Sequence, residues 1–393
     1  MKKIFFCLAV LTAATGVFAD SFYNYNSEHY LVFSDESEAR SEAVARQMEA
    51  ALALYNHLFH FDLDTLPGRL RVRIFGAKSE YDAYLEETIA AERGDFVFIS
   101  YSRTERSELV GFNQDEAEFR TSLLHYGFIQ YLNAFIHAPP LWIEEGMAAY
   151  LEASGYRDEE EAFVWQANLS WLAPLQDILR EETVPLDIPR LIRLDKQTAE
   201  ANIALFYPLS WGLVHFLMSS PEKRFNRIIW DSIYALRSDV SLEENSEQVE
   251  KEAFAWVGEQ ELERQFKTYI LSLKDFNTLI AEGTAAYSQG RAADADQAFQ
   301  EALTLRDDHF LPYYYLGLLS YDRGAHPEAQ DYYRQAQSRG IDPGLITYAL
   351  GVNAFAAARY EEAAAYLNQA RELDPELYGE KTDILLKRID YLN

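Results

Sequence analysis

Apolar positions alternate in short stretches near the start of the chain and recur every third or fourth residue through most of the remainder. His29-Tyr30-Leu31-Val32-Phe33 is β-branched and aromatic and predicts a first strand. Ser34-Asp35 offers capping side chains. Ala43, Met48, Ala51, Leu52, Tyr55 and Leu58 then keep helical spacing, so a long helix is expected from about Glu36 to His60. Pro67-Gly68 breaks the chain. Leu70-Arg71-Val72-Arg73-Ile74-Phe75 alternates apolar and polar, a second strand with one buried face. A helix is expected over 78–91. The apolar run Phe96-Val97-Phe98-Ile99 predicts a central strand within 95–101, and Leu109-Val110-Gly111-Phe112 an edge strand. From Glu116 onward only the helical period remains. Phe119, Leu123, Leu124, Phe128 and Leu132 form one stripe, and Pro139-Pro140 opens a new helix over about 141–153. Further helices are expected over 158–180, 196–218, 221–238 and 247–273, with Pro185 and Pro189 marking a loop.

The last third repeats itself. Gly283, Gly317 and Gly351 are 34 residues apart, as are Ala295, Ala329 and Ala363, then Phe299, Tyr333 and Leu367, then Ala302, Ala336 and Ala370. Gly290 and Gly324 repeat at the turn between paired helices, and Asp342-Pro343 and Asp374-Pro375 fall near repeat ends. Small residues let two helices cross closely while aromatics fill the space beside them. Over about 276–377 this resembles the tetratricopeptide repeat, with 380–392 as a final capping helix. The resemblance implies a concave groove lined by the first helix of each pair. Its positions fall on Ile280, Thr284 and Tyr287, on Leu311, Tyr314, Leu318 and Tyr321, and on Leu345, Tyr348, Val352 and Phe355. Such a groove is apolar, rich in tyrosine and without basic residues, which suits a protein or peptide partner. The basic clamp some such domains use for a terminal carboxylate is absent.

Composition narrows the classes. With 49% hydrophobic and 14% aromatic residues, the 393-residue chain can fill two or three packed domains. A net charge of -28 argues against nucleic acid, which requires clustered Lys and Arg. Residues 1–19 read as a secretory signal. Lys2 and Lys3 precede an apolar stretch from Ile4, and Val17-Phe18-Ala19 offers a cleavage site after Ala19. Cys7, the one cysteine, would leave with that segment. No later run reaches the ~18 apolar residues of a transmembrane span. A periplasmic or secreted bacterial protein is expected.

One region carries the outline of a metal site. His125 lies on the Phe119–Leu132 stripe, followed by Pro139-Pro140-Leu141-Trp142-Ile143-Glu144-Glu145-Gly146-Met147-Ala148-Ala149-Tyr150. With the strand–helix order before it and Tyr207 to Leu217 after it, the stretch over about 28–237 resembles the peptidase MA-like family of gluzincins. That resemblance implies zinc held by two histidines one turn apart and a glutamate from the next helix, beside a carboxylate base. Carried onto this chain, the first histidine is His125 and the third ligand Glu145. The base position holds Tyr126 and the second histidine position Ile129. Tyr, with a reference pKa of about 10, is no water-activating base, and Ile has no lone pair. His125 and Glu145 then read as remnants, with a hydrogen bond between them. His57 and His60, at i and i+3 near a helix end, have no Asp or Glu in sequence to complete a site. His137, just before Pro139, is an alternative donor toward the vacant position, and His215 within its apolar helix reads as a satisfied core residue.

The expectation is α+β: a small mixed sheet with helices (20–113) and a helical part (114–275) forming a degenerate gluzincin-like domain. An all-α tetratricopeptide solenoid follows (276–393). The expected role is non-catalytic, with protein binding or scaffolding in the cell envelope and no cofactor. The alternative is a gluzincin-type zinc peptidase with an atypical metal site.

Overall fold

The computed structural model describes residues 22–181 and 185–392. The signal segment and its cleavage site lie outside the described residues. The chain forms two compact units, one ending at Leu273 and the other beginning at Lys274. An α+β unit is followed by an all-α helical repeat.

The first unit is built on a five-stranded sheet. Its strands are β1 (Tyr23–Asn26), β2 (Tyr30–Ser34), β3 (Leu70–Phe75), β4 (Val97–Ile99) and β5 (Glu108–Phe112), in the order β1-β2-β3-β5-β4. β2, β3 and β5 are parallel, and both edge strands run antiparallel to their neighbours. α1 (Glu38–Phe59) and α3 (Glu116–Phe135) pack on the face carrying Tyr30, Val32, Val72 and Ile74. α2 (Lys78–Ile89) covers the other face with Tyr81 and Leu85 against Val97, Ile99 and Val110. The polar positions of β3 are sheathed as well. Arg73 pairs with Glu108 at 3.2 Å and lies about 5 Å from the rings of Phe22, Phe33 and Tyr84.

The sheet corrects two expectations. Residues 109–112 are interior and 97–99 are the edge, because β5 is buried along its whole length on both faces while β4 ends the sheet. Gly111 is small because a Cβ there would meet the Phe96 ring at 2.5 Å. β1 has no forecast: its Tyr-Asn alternation lacks an aliphatic stripe.

Downstream of α3, α4 (Leu141–Leu151) is buried along its length. The helix expected over 158–180 is instead a hairpin, β6 (Gly155–Arg157) and β7 (Ala162–Val164), followed by α5 (Leu172–Glu181). Asp158-Glu159-Glu160-Glu161 has no apolar residue to bury and forms the turn, with Glu161 at φ 46°. Tyr156 and Phe163 pair across the strands at 5.0 Å. The segment expected as one helix over 196–218 follows the short α6 (Ile188–Ile192). It divides into α7 (Lys196–Ala201) and α8 (Ile203–Ser219) at Asn202, whose backbone is not helical. α9 (Lys223–Ala235) follows. α10 (Leu242–Val249), a π-helical turn over Glu250–Phe254 and α11 (Glu259–Ser272) replace the single helix expected over 247–273. Among the described residues no single helix is long and apolar enough to cross a membrane.

The second unit is three helix pairs and a closing helix. The pairs are α12 (Phe276–Ser288) with α13 (Ala292–Leu305), α14 (Phe310–Asp322) with α15 (His326–Ser338), and α16 (Pro343–Ala356) with α17 (Tyr360–Leu373). α18 (Pro375–Leu392) closes the stack. The 34-residue columns interlock. A Cβ on Gly283 would lie 2.8 Å from the Phe299 ring, on Gly317 2.5 Å from Tyr333, and on Gly351 3.0 Å from Leu367. Each first helix therefore approaches its partner through a missing side chain, and the large residue opposite fills the gap. The turn inside each pair uses a left-handed residue: Gly290 at φ 72°, Gly324 at 75° and, in the third copy, Ala358 at 58°.

Candidate functional site

α3 and α4 bring His125 and Glu145 together in the interior of the first unit. Both are almost wholly buried. Gly146 sets the depth of α4, because a Cβ there would stand 2.6 Å from the Ser210 carbonyl of α8. Gly127 does the same for α3, where a Cβ would stand 3.1 Å from the Met48 methyl and the Tyr55 hydroxyl of α1.

Both imidazole nitrogens are engaged. His125 Nε2 lies 3.3 Å from Glu145 Oε2, and His125 Nδ1 lies 2.7 Å from Glu152 Oε2. The expected contact with Glu145 is present. The shorter one, with Glu152, was not anticipated. Glu152 follows Glu145 by seven residues, two helical turns on the same face, and that spacing was the available signal. The other Glu152 oxygen accepts from Asn168 at 2.8 Å, and Asn168 also donates to the Ala149 carbonyl at 2.7 Å.

Burial alone would lower the imidazole's pKa. The hydrogen bonds to Glu145 and Glu152, with their charges, outweigh that and push His125 up to about 10. The residue is an imidazolium held between two carboxylates. Neighbouring groups respond to the same field. Burial first, then the charge of Glu145, raises Glu144 to about 7, although its hydrogen bond from Asn133 works the other way. Burial pushes the Tyr126 and Tyr207 phenols far above their ordinary range, and Glu145 adds to both shifts.

Zinc does not fit this donor set. Nε2 and the Glu145 carboxylate are placed as two ligands would be, and Glu152 stands where an orienting carboxylate stands behind a ligating imidazole. Among the described residues no third ligand joins them. Ile129 is buried in the core cluster, as is Tyr126, whose ring packs edge-on to His125 at 4.9 Å. Among the described residues no group of three His, Cys, Asp or Glu side chains is gathered to hold a metal. No proton acceptor of carboxylate type occupies the base position.

None of the other histidines singled out in the sequence joins this cluster in a group of three metal-binding side chains among the described residues. His57 and His60 lie with ring centroids 6.3 Å apart. His137 is exposed and borders a shallow cleft with Arg69 and Glu105. His215 bonds the Tyr269 hydroxyl through Nδ1 at 3.0 Å, and burial lowers it to about 4, so it is a neutral core residue.

In the second unit the eleven groove positions share one property: each is half-buried. Tyr287, Leu311, Tyr314, Leu318, Tyr321, Tyr348, Val352 and Phe355 all keep part of their surface open, whereas the interlocking columns are buried. Tyr314 packs against Tyr315 and Tyr333 with centroids 5.6 and 6.2 Å away. Tyr348 stacks on Tyr378 of α18 at 5.1 Å, and Phe355 leans on Tyr360 at 5.8 Å. The rings are braced from behind.

No protein-family profile matches the chain, and no curated protein does. Among solved structures, it is similar to the Arabidopsis OM64 TPR domain, with 19% identity over 30% of this chain and 96% of that one and a TM-score of 0.28.

Proposed function

We propose that this is an exported, non-catalytic binding protein: a tetratricopeptide-like repeat takes a protein or peptide partner, and a gluzincin-like domain that has lost its chemistry accompanies it in the cell envelope. The observation that carries the reading is the contrast in satisfaction between the two candidate sites. The His125 imidazole and the Glu145 and Glu152 carboxylates are spent on one another within the first unit. The rings at the groove positions pack against neighbouring rings and keep part of their surface open. Tyrosine provides contact area at small entropic cost, the usual currency of recognition. The exported location rests on residues 1–19 alone. The test is saturable capture of an envelope protein by the full chain. Capture should disappear in the Tyr314→Ala, Tyr348→Ala double variant while the thermal unfolding profile keeps its cooperativity. Equal capture by that variant would reject the reading.

A second reading, a zinc peptidase with an unusual site, has one observation in its favour. The His125 and Glu145 donors lie 3.3 Å apart with Glu152 behind the ring, a spacing that two ligands of one tetrahedral ion would show. With Ile129 and Tyr126 in place of a ligand and a base, that remnant supports weak metal capture at most.

A further inference from the structure

Tyr287 and Tyr314 belong to one connected set of rings, with the exposed Asp322 carboxylate beside it. Tyr287 meets Tyr315 edge-on at 5.6 Å, Tyr315 meets Tyr314 and Tyr314 meets Tyr333. Tyr287 donates its hydroxyl to the Asp322 carboxylate at 3.1 Å, and Asp322 is exposed at the end of α14. Burial and then Asp322 raise the Tyr287 phenol to about 12, and Asp322 also acts on Tyr333. At the far end, Asp342 and Asp374 stand close enough to raise Tyr378, after burial. The hydroxyls of Tyr314, Tyr321 and Tyr348 make no hydrogen bond among the described residues. Arg323, beside Asp322, turns instead to Asp296 and Glu328 at 3.3 and 3.6 Å. His326 approaches the Tyr321 ring at 5.8 Å but is bound to Asn353. One ring already carries a cation on its face: Lys381 lies 5.6 Å over Tyr378.

We propose that the groove receives an extended segment bearing Lys or Arg, with its cation between the tyrosine faces and the Asp322 carboxylate and its backbone bonded by the Tyr314, Tyr321 and Tyr348 hydroxyls. The inference rests on reading the repeat as a binding module and specifies the chemistry of its partner. Ring faces attract cations, and a carboxylate beside them adds a charge-assisted hydrogen bond. The same carboxylate repels an acidic segment or a free peptide C-terminus. The hydroxyls, both donor and acceptor, match the alternating amide and carbonyl groups of an extended chain.

The experiment uses the full chain and a positional-scanning decapeptide library read by fluorescence polarisation. Pools with Lys or Arg fixed at one position should bind at least about tenfold more tightly than pools with Asp or Glu there. The preference should shrink between about 0.05 and 0.5 M salt, as exposed charges are screened. Asp322→Asn, an exposed and nearly isosteric change, should remove about tenfold of it with an unchanged melting profile. Tyr314→Phe keeps the ring and should weaken all pools alike. If pools bind regardless of charge, or acidic pools bind best, and binding still needs Tyr314, then the cation preference is wrong and the groove reading stands. If no pool binds the wild-type chain, both fall.

Discussion

The His125 cluster and the tyrosine groove are both unusual concentrations of chemistry, and they differ in what they leave unsatisfied. Around His125 a cation sits between two carboxylates, one of which is held by Asn168. Such an arrangement stabilises a core only while every member is present. At the groove positions the rings pack against neighbouring rings and keep part of their surface open. A residue of the first kind should be felt in stability, and a residue of the second kind in binding.

The largest effect expected is from His125→Ala. Removing the cation leaves the buried Glu145 and the half-buried Glu152 carboxylates without their shared partner, a loss of about 3–5 kcal/mol in urea unfolding. Partner binding by the folded fraction should be unchanged. A loss under about 1 kcal/mol would mean the cluster is hydrated and open, which would break the contrast.

Next comes Glu144→Gln. Glu144 is raised from 4.5 to about 7, so the folded state holds its proton more tightly than the unfolded chain does. Stability then falls as pH rises from 4.5 through 7, and the penalty is complete above that, at about 3 kcal/mol. The Gln variant should be more stable by up to that amount at pH 8 and should lose the advantage below pH 4.5. His125 adds a separate slope. Its contribution is complete below its unfolded value of 6.5 and is lost as pH rises through about 10. Thermal melts across pH 4–10 resolve the two.

Tyr348→Ala sharpens the other side. Partner affinity should fall about tenfold or more, about 1.4 kcal/mol, while stability changes by less than about 1.5 kcal/mol because the ring is only half-buried. A stability loss larger than the binding loss would recast Tyr348 as core. The smallest effect is from Ala358→Gly. The first two repeats place glycine at this left-handed turn and the third holds Ala at φ 58°. Relieving that strain should stabilise the repeat unit by about 0.5–1 kcal/mol, seen in a calorimetric scan.

The repeat was legible because its information is periodic. Gly283 and Phe299 specify a contact, and the same pair recurs twice at a spacing of 34. The half-buried state of the groove positions follows from the same register. His125 and Glu145 were legible from local pattern. Glu152 was signalled only by its spacing of seven from Glu145, and Asn168 not at all, since its role depends on a chain reversal through β6 and β7 that the acidic run 158–161 conceals. The order of β4 and β5 was lost for a similar reason. Both are short apolar runs buried on two faces, and nothing in either shows which one ends the sheet.

The most direct test of the central claim is the metal content of the full chain, purified without chelator, exchanged into metal-free buffer and assayed by mass spectrometry beside His125→Ala. Closure of the first site by its own ion pairs predicts far less than one zinc per chain in both proteins, with no difference between them. One zinc per chain, lost in His125→Ala, would contradict it.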